Sequence, residues 1–229
     1  MVSVILVMAG IGSRMNLNVN KVLLPLNDKP VFMHSLLKFV NRGYEVVCVI
    51  NPSDEALVKK YLPEGIIIAY GGNTRSESVY NGLSKCSGNY ILIHDAARPL
   101  ISNDVLDNVD KSIKDNKPIL VYSKVKDTIK INDSGIKTLN RDELLAAQTP
   151  QGASYRDLMY CYQMARMEGF NATDDMSLIE RYIGSDITLI EGNSENIKLT
   201  TQIDYEVVKL LAKEDLIWFE LDMHGMYIS

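Results

Sequence analysis

Short apolar runs alternate with amphipathic stretches along the chain, and this alternation narrows the accessible folds more than any other feature. Val4 to Met8, "YEVVCVI" (44–50), "IIIAY" (66–70), "YILIH" (90–94), Ile119 to Ser123 and Ile187 to Glu191 read as strands. Between them the apolar residues fall at helical spacing. Phe32, Leu36 and Val40 share one face of a helix opened by Pro30 and closed by Gly43, and Val79 and Leu83 point inward from a helix over Ser76 to Cys86. Further helices are predicted from a Ser53 cap to Leu62, over Asn103 to Asp115 and Ser154 to Glu168, and from Ile203 onward. The pattern predicts an α/β fold, a mostly parallel sheet with helices on both faces. One segment breaks it. "DTIKINDSGIKTL" (127–139) places two strand-like runs around Asn132-Asp133-Ser134-Gly135, a hairpin signal, and a hairpin joins a parallel core poorly, so it is expected to project as an arm.

The 229 residues carry no Gly/Ser linker, long charge run or repeat, so a single domain over 1–229 is expected. The apolar runs fall short of a membrane span and the N-terminus lacks the basic start of a signal peptide, which places the expected protein in the cytoplasm, away from membranes. A net charge of −5 argues against nucleic acid as a partner, and any bound phosphate must meet a local cluster of cations. Cys48, Cys86 and Cys161 form no C-x-x-C pair and read as reduced, structural thiols.

The first strand runs into "VILVMAGIGSRM" (4–15), a strand-to-glycine-loop transition of the kind that brings main-chain N–H groups to a phosphate. Met15 occupies the third glycine position of a dinucleotide fingerprint, Asn51 stands where a ribose-binding carboxylate is wanted, and no Walker A sequence is present. What remains is a glycine loop followed by Arg14 and Lys21, two cations able to clamp a triphosphate and to stabilise charge at an attacked phosphorus. "GGNTRSESVYNGL" (71–83) is a second glycine loop, in which Gly71 and Gly72 permit close main-chain approach to a flat ring and Ser78 offers a hydroxyl. "HDAARP" (94–99) puts His94, Asp95 and Arg98 at the carboxyl end of a strand, the edge on which open α/β sheets bind ligands. A histidine-based metal hydrolase is excluded because only His34 and His224 remain as further ligands, one in a helix and one in the tail. "TDDMSLIE" (173–180) reads as a helix start capped by Thr173, and Lys198 in "NIKLTT" gains interest only beside Arg14 and Lys21. Taken singly, each of these segments also reads as an ordinary turn, cap or solvated charge.

Taken in order, G-x-G-x-R-M, a lysine, G-G-x-x-R-x-x-S-V-x-x-G-L, H-D-A-A-R-P, D-T-I-K, Q-T-P-Q, T-D-D and N-I-K-x-T resemble the 2-C-methyl-D-erythritol 4-phosphate cytidylyltransferase family over roughly residues 2 to 210. The resemblance implies a Rossmann-like nucleotidyltransferase sheet, a homodimer formed through a β-arm at about 124–147, and Mg²⁺-dependent transfer of CMP from CTP to 2-C-methyl-D-erythritol 4-phosphate, a step of isoprenoid synthesis, without a covalent intermediate. It implies that Arg14 and Lys21 stabilise the transition state and that Arg141 and Lys198 position the acceptor phosphate. It assigns Met8, Ala9, Gly10, Gly12, Gly72, Asn73 and Ser78 to the nucleotide, and Asp95, Arg98, Thr128, Thr149 and Thr173 to the acceptor. Thr128 and Arg141 are implied to reach the neighbouring subunit's site. The ion is implied to ride mainly on the CTP phosphates, with no protein metal ligands. A ribitol 5-phosphate cytidylyltransferase and a non-catalytic CTP-binding homologue are the competing readings. The chain departs from the family's usual spelling in having Met8 for alanine in the first loop and Asn20-Lys21-Val22 in place of P-K-Q, and residues 214–229 have no assignment.

Overall fold

The computed structural model describes residues 1–10, 19–184 and 186–223, with side chains as far as Lys213. Its centre is a seven-stranded sheet in the order β11-β7-β10-β6-β1-β4-β5. The strands are β1 (Val2–Val7), β4 (Glu45–Ile50), β5 (Ile67–Tyr70), β6 (Tyr90–Asp95), β7 (Ile119–Lys124), β10 (Leu145–Ser154) and β11 (Thr188–Glu191); β2 (Pro25–Leu26) and β3 (Lys29–Pro30) make a separate small ladder. All neighbours in the large sheet are parallel except β10, which runs antiparallel to both β6 and β7.

The continuously apolar strands are explained by their two buried faces. Val4 and Leu6 of β1, Val46, Cys48 and Ile50 of β4, and Leu92 of β6 pack on one face, against α1 (Val31–Asn41), α4 (Asn103–Ser112) and α7 (Gln202–Met223). The alternate residues Ile5, Val47, Val49, Ile91 and Ile93 face α3 (Arg75–Leu83), α5 (Tyr155–Glu168) and α6 (Asp175–Tyr182). The predicted inward residues Phe32, Leu36, Val79 and Leu83 are fully buried. None of the helices among the described residues is long and apolar enough to cross a membrane.

Three local expectations are corrected. Ser53 does not cap a helix reaching Leu62: Asn51 Oδ1 accepts from Ser53 N (3.1 Å) to open a single 3-10 turn over Pro52–Asp54, and α2 spans only Glu55–Val58. α6 is capped by Asp174, whose Oδ1 accepts from Ser177 N (3.0 Å), and not by the exposed Thr173; an ionised carboxylate also suits the positive end of a helix better than a hydroxyl. The third is an element that periodicity overlooks. Residues 145–154 form β10, the ten-residue strand at the middle of the sheet's second half, with Pro150 lying where its register against β7 shifts, a place that needs no N–H donor. The hairpin is present as β8 (Lys130–Asn132) and β9 (Ile136–Thr138), an exposed two-stranded sheet of its own between β7 and β10.

Candidate active site

The parallel strands β1, β5 and β6 end on one edge of the sheet, and the segments that leave them enclose a cleft of about 500 Å³. One wall is main chain. Met8, Ala9 and Gly10 leave β1, and Gly72, Asn73 and Ser78 follow β5 into α3. The two loops touch so closely at Gly71 that a Cβ there would lie 2.3 Å from Ala9 Cβ, a separation only glycine permits. Ser78 Oγ accepts from Gly72 N (3.1 Å) and donates to Thr74 O (2.9 Å), so its hydroxyl shapes the loop. Thr74 in turn caps α3 by accepting from Glu77 N (3.1 Å).

The opposite wall is charged. Lys21 opens a 3-10 turn (Lys21–Leu23) that Asn20 holds down: its Nδ2 donates to Met8 O (2.8 Å) and to Asp54 Oδ2 (2.9 Å), while its Oδ1 accepts from Val22 N (3.3 Å). Thus Asn20 ties the lysine's loop to the end of β1. Lys21 Nζ donates to Leu199 O (2.6 Å), which brings it to the segment carrying Lys198. Lys198 Nζ pairs with Asp95 Oδ2 at 2.6 Å, and Arg75 Nε lies 3.6 Å from Asp95 Oδ1. Burial alone would raise the Asp95 pKa, but Arg75 and then Lys198 outweigh it and hold the carboxyl at about 2.

Behind Asp95, polar side chains fix the end of β6. Asp95 N–H donates to Thr149 Oγ1 (3.1 Å), which leaves the Thr149 hydroxyl to donate to His94 Nδ1 (3.1 Å) and places the ring proton on Nε2, facing Arg98 O (3.0 Å). Burial pushes the His94 pKa down to about 4, so the ring is neutral. Arg98 Nη1 donates to Asn196 O (2.6 Å), and its Nε is buried without a hydrogen-bond partner among the described residues. Asn196 Nδ2 donates to Gln148 Oε1 (2.9 Å) and Thr149 O (3.0 Å), binding the Lys198 segment to β10.

The fold therefore gathers Met8, Ala9, Gly10, Lys21, Gly72, Asn73, Ser78, Asp95 and Lys198 around one cleft. Arg98 and Thr149 stand behind its lining. Thr128, Arg141 and Thr173 are exposed and do not line it; Arg141 Nη1 donates to Lys126 O (3.1 Å) at the foot of the hairpin. Gly12 and Arg14 lie outside the described residues. Sequence reasoning assigned no role to Arg75, Thr200 or Asn20, although Arg75 sits inside the G-G-x-x-R motif.

Comparison with known proteins fixes the family. Residues 2–214 match the family described as IspD, 2-C-methyl-D-erythritol 4-phosphate cytidylyltransferase. The chain belongs to this family. A curated member from Clostridioides difficile is 38% identical over 220 residues, covering 91% of this chain and 92% of its own length. Another from Aquifex aeolicus is 39% identical over 211 residues, with 91% and 96% covered. Among solved structures, 4-diphosphocytidyl-2C-methyl-D-erythritol synthase from Anaerococcus prevotii superposes with a TM-score of 0.79 at 28% identity, covering 94% of this chain and 98% of that one. The Thermus thermophilus 2-C-methyl-D-erythritol 4-phosphate cytidylyltransferase gives 0.77 at 26%, with 93% and 100% covered. Family members are CTP-dependent nucleotidyltransferases, and the mostly parallel sheet described above is the fold they share with this chain.

Proposed function

We propose that the protein transfers CMP from CTP to 2-C-methyl-D-erythritol 4-phosphate, releasing pyrophosphate and feeding isoprenoid precursor synthesis. The observation that carries this reading is the pairing, across one cleft, of a main-chain wall with Lys21 and Lys198. The nucleotide's base lies on the wall of Met8, Ala9, Gly10, Gly72, Asn73 and Ser78. An oxygen of the acceptor's phosphate attacks the α-phosphorus; the new P–O–P bond forms as the bond to pyrophosphate breaks. No general base is needed, because the attacking oxygen is already ionised. The obstacle is repulsion between two anions, which cations placed ahead of the reaction lower.

Lys21 and Arg14 meet the charge that develops on the triphosphate, and Lys198 orients the acceptor phosphate. Asp95 takes an acceptor hydroxyl, with Arg98 and Thr149 setting its position and Thr173 at the outer margin. Among the described residues no group of three or more His, Cys, Asp or Glu is arranged to hold a metal, and Asp95 is already paired with cations. The pairing of Asp95 with two cations leaves it a poor metal ligand, and Mg²⁺ would be held mainly by the phosphates of CTP, where it would neutralise charge.

The chain acts as a single nucleotidyltransferase domain, in the cytoplasm, as a homodimer joined through the arm at about 124–147. Arg141 and Thr128 lie near the foot of that arm, away from their own cleft, and serve the partner's site. The exposed Ile129, Ile131 and Ile136 on the arm favour such packing. Mixing and re-associating Lys21→Ala and Arg141→Ala proteins, each inactive, restores part of the activity if sites are shared; heterodimers without recovery would refute sharing.

The test of the reaction is pyrophosphate release by the purified protein with CTP and Mg²⁺, comparing 2-C-methyl-D-erythritol 4-phosphate with ribitol 5-phosphate. Preference for the first is expected. Preference for the second moves the enzyme to polyol-phosphate chemistry, and silence with both, alongside CTP binding, leaves a non-catalytic homologue.

A further inference from the structure

A series of charged and polar side chains runs from the interior to the cleft, and Arg75 and Asp175 within it have no part in the reaction set out above. Asp175, with no exposed surface in the first turn of α6, receives the Arg75 fork: Nη1 to Oδ1 at 2.9 Å and Nη2 to Oδ2 at 2.7 Å. The Tyr162 hydroxyl, itself buried, donates to the same Oδ1. Gln151 Oε1 accepts from the main-chain N–H of Asp175 and of Met176, each at 3.0 Å, so the carboxylate's own backbone is anchored on β10. The third guanidinium nitrogen, Nε, is left facing Asp95 Oδ1, while Asp95 Oδ2 takes Lys198. Each oxygen of Asp95 therefore has its own cation, and the series Tyr162, Asp175, Arg75, Asp95, Lys198 ends at the cleft.

Stability alone does not account for this arrangement. A well-packed apolar pair commonly serves a fold as well as a buried ion pair does. Arg75 is moreover the first residue of α3, where the helix dipole disfavours a cation. The bidentate geometry requires arginine, since lysine offers a point charge and no fork.

We propose that Arg75 is a positioning residue for nucleotidyl transfer: gripped by Asp175, it fixes the plane of the Asp95 carboxylate and, through it, the reach of Lys198 toward the acceptor phosphate. This rests on the function proposed above, and its effect falls mainly on the acceptor, because the bonds that shape the neighbouring main-chain wall, Gly72 N to Ser78 Oγ and Ser78 Oγ to Thr74 O, do not use the Arg75 side chain.

The experiment compares wild type, Arg75→Lys and the paired variant Arg75→Met/Asp175→Asn, which removes both charges together and leaves no lone buried ion to unfold the protein. For each, kcat and the KM of CTP and of 2-C-methyl-D-erythritol 4-phosphate are measured, with thermal melting as the check on folding. We expect kcat/KM for the acceptor to fall at least tenfold in both variants while the KM of CTP changes less than threefold. In a Lys198→Ala background, Arg75→Lys should cost less than it does in the wild type, since part of its effect passes through that lysine. Folded variants with acceptor kinetics near wild type, equal losses for both substrates, or multiplicative losses in the Lys198→Ala background would each overturn the proposal. A crystal structure of the paired variant decides the point independently of turnover: a displaced Asp95 carboxylate supports it, and an unchanged Asp95–Lys198 pair refutes it. A silent wild type would instead count against the functional reading, and the structural arm would still judge Arg75.

Discussion

The two walls of the cleft solve different physical problems. Along the loops after β1 and β5, close packing depends on what is missing: Gly71 lets Ala9 approach, and a Cβ at Gly72 would meet Glu77 Cβ at 2.4 Å. Around β6 and β10, charged and amide side chains are knitted to one another, with Asp95, His94, Thr149, Asn196, Arg75 and Asp175 holding one another in place. A flat, neutral base needs close approach and fixed donors. A pair of mutually repelling phosphates needs cations whose positions do not depend on the ligand's arrival. The first wall is thus sensitive to added volume, and the second to removed partners.

The largest effect is expected from the charged wall. On the mechanism proposed above, Lys21→Ala removes the ammonium that meets the developing charge, and losses of about a hundred- to a thousandfold in kcat are typical for one such group. CTP binding should fall much less, because the interaction strengthens in the transition state. Steady-state kinetics with a parallel measurement of CTP affinity tests this; equal losses in kcat and affinity would make Lys21 a ground-state phosphate anchor. The main-chain wall breaks differently. Gly71→Ala forces a methyl to within 2.3 Å of Ala9 Cβ, so the loops must separate. Overpacking of this kind costs about 1–3 kcal/mol, and here it should appear as a raised KM for CTP with kcat and acceptor KM nearly unchanged. A Gly71→Ala enzyme with an intact CTP KM would show that the loops do not need their contact to hold the nucleotide.

The same contrast explains what could be read from the sequence. β1, β4, β5, β6, β7 and β11 announce themselves because strands buried on both faces are apolar throughout, and the hairpin because its turn residues lie between two short runs. Gly71 reads in the sequence as a place of close main-chain approach, and in the structure the neighbour it admits is Ala9 of the first loop. β10 was not legible, because its Gln148, Thr149 and Gln151 are buried against partners supplied by other segments, and Pro150 argues locally against a central strand. Arg75 and Asp175 are 100 positions apart, so nothing near either residue signals the pair. Asn20 reads as a departure from the family's usual P-K-Q, yet its side chain ties down the lysine's loop through three hydrogen bonds.

A third contrast separates the two walls by pH. His94 is neutral in the folded protein, with its pKa lowered from 6.5 to about 4 by burial. Between those values the unfolded chain binds a proton that the folded chain refuses, so stability falls as pH drops through this window and rises as pH increases. Two and a half pKa units correspond to about 3 kcal/mol if the whole shift is expressed, lost from roughly pH 6.5 down to pH 4. Asp95 contributes in a lower window. Its depressed pKa supplies stability that is complete above its unfolded value near 4 and is lost as pH falls toward 2. Thermal melts from pH 7 to pH 4 should therefore show a slope that His94→Gln reduces, whatever the variant's starting stability. Gly71→Ala, on the wall that contains no histidine, should leave that slope intact. A His94→Gln protein with the wild-type slope would mean that the proton enters elsewhere, and that the network behind Asp95 yields to acid before the imidazole does.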